Sequence, residues 1–294
     1  MDAYVSAIIV THGRRPAILS RAIDSVLEQK YDDMELIIVN SAPSYDEKEK
    51  IDKTLSEYIE SNPKIVIKYI VTETDINGSA ARNIGLSQSK GSLIAFLDDD
   101  DEWLPEKLNS QVINFDETKD IVFSDYLVES EDGTSVRFSK TVGEIYEIEK
   151  DIIGENLIGS TSFPMIRRTA LEKISGFDET MESNQEWDIW IRMALFELKI
   201  VRIDDILGIK HMSEFSITSD KEKRILGWER LFEKNKAVYK NNPRLHSKAL
   251  CIYSRELKSK GCIFRSFLIM IRAGLERVRC IIYRPRYNKK YRSS

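Results

Sequence analysis

Ser92-Leu-Ile-Ala-Phe-Leu97 runs directly into Asp98-Asp99-Asp100-Asp101 and then into Glu102-Trp103-Leu104-Pro105. The apolar run has the length and continuity of a strand buried on both faces, as in a parallel sheet. Four carboxylates at the end of such a strand repel one another unless something positive joins them. In an open α/β sheet, ligands bind beyond the carboxyl ends of the strands. Hard divalent cations take oxygen ligands and bridge protein carboxylates to phosphates. The stretch therefore reads in one of two ways. It is a cation and phosphate site, or it is a solvated acidic turn ahead of a helix that starts at Pro105, where proline suits the first helical position.

Toward the N terminus, strand and helix patterns alternate. Val5 to Thr11, Met34 to Val39 and Lys64 to Val71 are strand-length apolar runs. Between them, Leu19, Ile23, Val26 and Leu27 recur at helical spacing, and Ile51, Leu55, Tyr58 and Ile59 share one helical face. Asn77 to Ser89 reads as a helix capped by Asn77 or Ser79. This alternation predicts an α/β fold: a mostly parallel, Rossmann-like central sheet with flanking helices and right-handed crossovers.

Toward the C terminus the pattern changes. A helix is predicted from Pro105 to Phe115 and a strand over Ile121 to Ser124. Tyr126-Leu-Val and Thr134 to Phe138 flank Glu131-Asp-Gly133, a hairpin signal. A loop-rich stretch follows to about Arg168. Helices are predicted over Thr169 to Ser175 and Ser183 to Leu198, and short strands over Ile200 to Ile203 and Leu207 to Lys210. From Ser219 the chain reads as helical, so the expected division is an α/β domain over 1–217 and a helical region over 218–294. In the last helix Phe264, Phe267, Leu268, Ile271, Leu275 and Val278 form a stripe. Arg265, Arg272 and Arg279 border it, and Arg284 to Arg292 adds a basic tail. Such a helix suits an anionic membrane surface, or it packs on the domain with its arginines in solvent.

Composition narrows the classes. The chain has 294 residues, 42% hydrophobic and 31% charged, with a net charge of −4, which argues for a folded protein without a nucleic-acid signature. Three cysteines, none closely paired, argue against a disulfide framework or zinc site and for a reducing, cytoplasmic setting. The opening Met1-Asp-Ala-Tyr has no secretory pattern. No uncharged apolar run reaches the ~18 residues of a membrane span.

Four segments in order resemble glycosyltransferase family 2. They are Ser6-Ala-Ile-Ile-Val-Thr11-His-Gly-Arg14 with Leu19-x-Arg21; Asn77-Gly-Ser-Ala-Ala-Arg82-Asn83-x-Gly85; Asp98-x-Asp100-Asp101-x-Trp103; and Gly176-Phe-Asp178 with Gln185-Glu186-Trp187-Asp188-Ile-Trp190-Ile-Arg192. The resemblance covers about residues 4 to 215. It implies the GT-A fold of nucleotide-diphospho-sugar transferases and an inverting, metal-dependent transfer of a sugar from a nucleoside diphosphate to a glycan or lipid-linked glycan. The implied setting is surface polysaccharide or glycoconjugate assembly, peripheral at the inner face of the cell membrane. The implied cofactor is Mg²⁺ or Mn²⁺, with Asp98 and Asp100 at the metal, Asp100 as the direct ligand, and His211 as a further candidate. Donor contacts fall to Thr11, His12, Arg14, Asn40, Arg82, Asn83, Asp98 and Asp99.

The family places an aspartate as catalytic base where this chain has Glu186, one methylene longer; Asp188 is the reserve. A second departure is Val39-Asn40-Ser41 in place of Val-Asp-Asp. Asn40 can still pair with a base through its amide, but the missing carboxylate weakens the inference of a UDP-sugar and admits GDP- or dTDP-sugars. Two other classes stay open: a sugar-phosphate nucleotidyltransferase, and a glycan-binding or scaffolding module that has lost donor residues.

Overall fold

The computed structural model describes residues 3–12, 16–41, 45–130, 132–138, 148–212 and 220–282. Four parallel strands form the first half of the sheet: β1 (Val5–Thr11), β2 (Met34–Asn40), β3 (Val66–Val71) and β4 (Leu93–Asp98). They are joined through α1 (Pro16–Leu27), α2 (Tyr45–Ser61) and α3 (Gly78–Gln88). β1 and β2 are buried along their whole length, as is β4 from Leu93 to Leu97, so the continuous apolar runs are the centre of the core. α3 lies close on β1 and β2 because Gly85 has no side chain. A Cβ there would sit 2.4 Å from Ile8 Cγ2.

The second half is mixed. β5 (Asp101–Trp103), β6 (Ile121–Glu129), β7 (Ser135–Phe138), β8 (Met165–Arg167) and β9 (Ile200–His211) complete the order β3-β2-β1-β4-β8-β6-β9-β5, with β7 on β6. β8 lies between β4 and β6, antiparallel to both. The loop-rich stretch before Arg168 thus contains a three-residue strand too short for a sequence period to reveal. The two short strands predicted near 200 and 207 are one strand, β9, whose pairing with β6 shifts register near Asp125. The acidic run is divided. Asp98 ends β4, Asp99 and Asp100 turn, and Asp101 re-enters the sheet opposite Lys210. α4 (Lys107–Ile113), α5 (Ile148–Asp151), α6 (Arg168–Lys173) and α7 (Gln185–Leu195) complete the helices around this sheet, and α8 (Lys221–Lys234) follows.

The chain divides into two compact units, Met1–Ile152 with Asn156–Gly227, and Ile153–Glu155 with Trp228–Ser294. The second contains α9 (Lys236–Asn241), α10 (Pro243–Ser259) and α11 (Ile263–Ile282). Trp228 stacks on Tyr253 with ring centroids 5.0 Å apart, and the Tyr239 hydroxyl donates to the Ile153 carbonyl at 2.9 Å.

Candidate active site

The carboxyl edge of β4 gathers residues of all four sequence motifs. Arg82, buried in the second turn of α3, forms an ion pair with Asp98 at the end of β4. Its other terminal nitrogen, Nη1, donates to Gln185 Oε1 at 3.1 Å, and Gln185 opens α7. The next residue is Glu186, half-buried on the first turn of that helix. Asn184, in the left-handed region at φ 57°, turns the chain into α7. One guanidinium therefore ties the acidic edge to the helix start that carries the candidate base.

Burial works against the charged form of Asp98. Arg82 and Lys210, with hydrogen bonds from Arg82 and Ser160, outweigh it and hold the carboxyl below the usual range. Asp101 differs. It is fully buried and lies 3.7 Å from Lys210 Nζ. Burial, reinforced by Asp98 and Asp100, exceeds the pull of Lys210 and of the Ser162 hydroxyl, and the Asp101 carboxyl is pushed up to about 7. Lys210 is raised, chiefly by Asp101. One ammonium among several carboxylates cannot offset the desolvation of them all.

A second layer holds these groups. Ser162 Oγ donates to Asp101 Oδ2 at 2.6 Å and accepts the Asp98 N–H at 3.1 Å. The Trp103 indole donates to the Ser162 carbonyl at 2.6 Å. Arg21 donates to the Asp100 carbonyl at 3.0 Å. Ser160, Ser162, Lys210 and Gln185 were not among the sequence candidates. Ser160 and Ser162 lie in a stretch with no periodicity, and Lys210 gains its role only by pairing across strands.

The remaining candidates separate. Thr11 Oγ1 donates to Asp99 Oδ2 at 2.6 Å, so this pair closes the edge between β1 and β4. Asn40 is fully buried opposite Thr11 and donates to the Tyr69 hydroxyl at 3.1 Å. His12 lies 3.1 Å from the Ser41 hydroxyl and 3.8 Å from Asp75. Arg14 lies outside the described residues. Asn83, next to Arg82, has its amide bonded to Phe177 and Glu179. Asp188 is buried and pairs with Arg192 at 2.8 Å, one helical turn away. His211 has its ring nitrogens against Glu102 at 3.2 Å and Glu129 at 2.9 Å.

A mixed sheet of this order, with an acidic turn at its carboxyl edge, has the architecture of the GT-A glycosyltransferases. The mannosyltransferase PcManGT from Pyrobaculum calidifontis, solved with GDP-Man and Mn²⁺, superposes with a TM-score of 0.62 at 13% identity, over 96% of this chain and 76% of that one. The chain belongs to glycosyl transferase family 2, whose model matches residues 6–175. Among curated relatives, the amylovoran biosynthesis glycosyltransferase AmsB of Erwinia amylovora is 28% identical over 72% of this chain and 70% of its own length. The GalNAc(5)-diNAcBac-PP-undecaprenol beta-1,3-glucosyltransferase of Campylobacter jejuni is 27% identical over 91% and 89%. The expected fold class and family thus both hold, and the chain is a glycosyltransferase.

Proposed function

We propose that this chain transfers a sugar, with inversion, from a nucleoside diphosphate to a glycan or lipid-linked glycan during surface polysaccharide or glycoconjugate assembly. The bridge from Asp98 through Arg82 to Gln185 supports this reading, because it ties the acidic edge to the start of α7, on whose first turn Glu186 stands. The setting proposed is peripheral, at the cytoplasmic face of the membrane. Relatives named for amylovoran biosynthesis and for an undecaprenol-linked acceptor support it.

The residues fit a divalent cation. Asp98 to Asp101 offer oxygen donors only, which suits Mg²⁺ or Mn²⁺. Asp101 Oδ1 is buried without a hydrogen-bond partner, so the edge has acceptor capacity to spare. Among the described residues, no three His, Cys, Asp or Glu side chains form a complete metal cage. A site of one or two carboxylates completed by phosphate and water is the usual Mg²⁺ arrangement. Asp100, half-exposed on the turn, would hold the ion beside Asp98. His211, engaged by two glutamates, is left out of the set. A bound cation supplies Lewis-acid stabilisation of the departing diphosphate. Arg82 keeps Asp98 ionised and oriented, and Glu186 takes the acceptor hydroxyl proton as that oxygen attacks from the opposite face of the sugar.

The donor nucleotide is proposed on a similar footing. A buried Asn40 in place of a carboxylate makes a GDP-sugar as fitting as a UDP-sugar, and PcManGT binds the former. Thermal unfolding with UDP, GDP or dTDP, each with and without Mn²⁺, tests donor and metal together. Ligand at a hundred times its Kd adds about 2.7 kcal/mol of stability, a shift of several degrees. An Asp100→Ala variant should lose the Mn²⁺-dependent part. Equal donor turnover by that variant would refute the metal assignment.

A further inference from the structure

The last helix, α11, is built inside out. Its packed side is small. Ser266 and Ala273, seven residues apart, are buried against α10. There Ser254 donates to the Ser266 carbonyl at 2.9 Å and Ser247 to the Ala273 carbonyl at 2.8 Å. The bulky residues point the other way. Phe264 is 75% exposed and Leu275 65%, and Phe267, Leu268, Ile271 and Val278 are exposed with them. Scattered surface hydrophobics need no explanation, but a contiguous apolar stripe marks a face that something covers.

Charge identifies the cover. The helix carries Arg265, Arg272, Arg277 and Arg279 against a single acid, Glu276. Glu276 is turned inward, 3.1 Å from His246 and 3.4 Å from Arg279. Arg265 pairs with Glu229. Arg272 is exposed along the edge of the stripe, whereas Arg277 turns toward α10, its Nη2 3.9 Å from Cys251 Sγ. The sequence beyond the helix continues the bias with Arg284, Arg286, Lys289, Lys290 and Arg292 among Tyr283, Tyr287 and Tyr291.

A second copy of the chain fits less well. Phe264, Leu268, Ile271, Leu275 and Val278 alternate by four and three, the spacing of a coiled-coil seam. One flank of that seam is Arg265, Arg272 and Arg279, and the other is Phe267, Gly274 and Ile281. Parallel pairing sets those arginines against residues without charge; antiparallel pairing sets them against one another. Neither supplies the complementary e and g charges that select a partner helix. A crossing of the bilayer is a different matter: among the described residues, no helix is long and apolar enough to span one.

We propose that α11 lies flat in the interface of an anionic bilayer, with its bulky face among the upper acyl chains and Arg272 at the lipid phosphates. These residues are separate from those of the transfer reaction, so the inference stands or falls independently of it. The test is sedimentation of the full chain with vesicles of phosphatidylcholine, with or without one-third phosphatidylglycerol (about 30%, enough to set the surface potential). Binding should need the anionic lipid and fall with salt. Arg272→Gln should weaken it about fivefold. Phe264→Ser with Leu275→Ser should weaken it more than about tenfold. Both positions are exposed, so an unchanged melting midpoint verifies the fold. Equal binding to neutral and anionic vesicles, or equal binding by the serine variant, would overturn the proposal. So would a dimer that dissociates on the serine change without any vesicle binding.

Discussion

The side chain of Asn83 closes on the main chain of Phe177. Its Oδ1 accepts the Phe177 N–H at 2.8 Å, and its Nδ2 donates to the Phe177 carbonyl at 2.9 Å. Gly176, at φ 66°, passes so near that a Cβ would lie 2.6 Å from Asn83 Oδ1. The clasp joins α3 to the segment that leads into α7. Asn83→Ala should therefore act first on stability. Two main-chain groups lose their partner, each at about 1–3 kcal/mol when left buried and unpaired. Denaturant unfolding would measure the loss. An unchanged midpoint with a raised donor KM would instead put Asn83 on the donor.

Glu186 and Asp188 differ in surroundings although they are two residues apart. Glu186 is half-buried, whereas Asp188 is buried against Arg192. Glu186→Gln should lower kcat by about 10² to 10⁴, the usual worth of a positioned base, with donor KM and melting little changed. Asp188→Ala should cost about 1.5–3 kcal/mol of stability, because it removes the carboxylate partner of the half-buried Arg192, which keeps its bonds to the Ile174 and Gly176 carbonyls. Steady-state kinetics paired with melting separates the two, and a reversed pattern would make Asp188 the base.

Arg82 controls the charge on Asp98. With Arg82→Met, only Lys210 and Ser160 would oppose burial, and the Asp98 carboxyl would titrate at higher pH. The acid limb of the pH–rate profile should then move up, and donor KM should rise. Arg82→Lys should restore part of both, since it keeps the charge but not the bridge to Gln185. A profile whose acid limb does not move would mean that Asp98 is not the group that sets it.

The sequence period reached as far as local burial reaches. β1, β2 and β4 were legible because strands covered on both faces need unbroken apolar runs. α1, α2 and α3 were legible because each hides one face. β8 and β5, three residues each, fall below any period, and their places depend on Ile166 and Gly208 meeting partners far along the chain. Within the site, the Asp98 edge and Arg82 could be read from motif spacing. The support from Ser162 and Lys210 could not, since a serine in an aperiodic loop and a lysine on an alternating strand look like surface residues until the fold brings Asp101 to them. The engagement of Asn83 was hidden for the same reason. A side-chain amide gives no sign in sequence of whether it will meet a ligand or a main chain.

Glu35 is fully buried in β2 and accepts from Ser6 at 2.8 Å, from Lys68 at 2.9 Å and from the Lys90 N–H at 2.5 Å. Burial opposes its charge, but Lys68 and the other donors outweigh it, and its carboxyl sits below the usual value. The folded state therefore binds fewer protons than the unfolded one. The stabilisation is complete above about pH 4.3, the unfolded value, and is lost as pH falls through the lower folded value. Glu35→Gln should be less stable than the parent at pH 7, and the gap should close in acid. Urea unfolding at pH 7 and pH 3.5 measures it, and a gap of the same size at both would show that Glu35 contributes by packing alone.

Gly85 and Ile8 form a contact that a double-mutant cycle can isolate. A Cβ on Gly85 would meet Ile8 Cγ2 at 2.4 Å, far inside contact distance, so Gly85→Ala must push α3 off β1 or distort Ile8. Overpacking of this kind costs about 1–3 kcal/mol, although alanine is intrinsically the better helix former by about 1 kcal/mol. The displaced helix carries Arg82, so donor KM should rise together with the loss of stability. Ile8→Ala alone should cost about 2–5 kcal/mol through the cavity it leaves. Combined, the two changes should cost less than their sum, because the new methyl occupies space that the isoleucine has vacated. A favourable coupling of about 0.5–3 kcal/mol is the range for residues in contact. If α3 positions Arg82 through this contact, the double variant should also recover part of the donor affinity lost in Gly85→Ala. Recovery of stability without recovery of KM would show that the site tolerates the helix shift, and that Arg82 reaches Asp98 by side-chain adjustment alone.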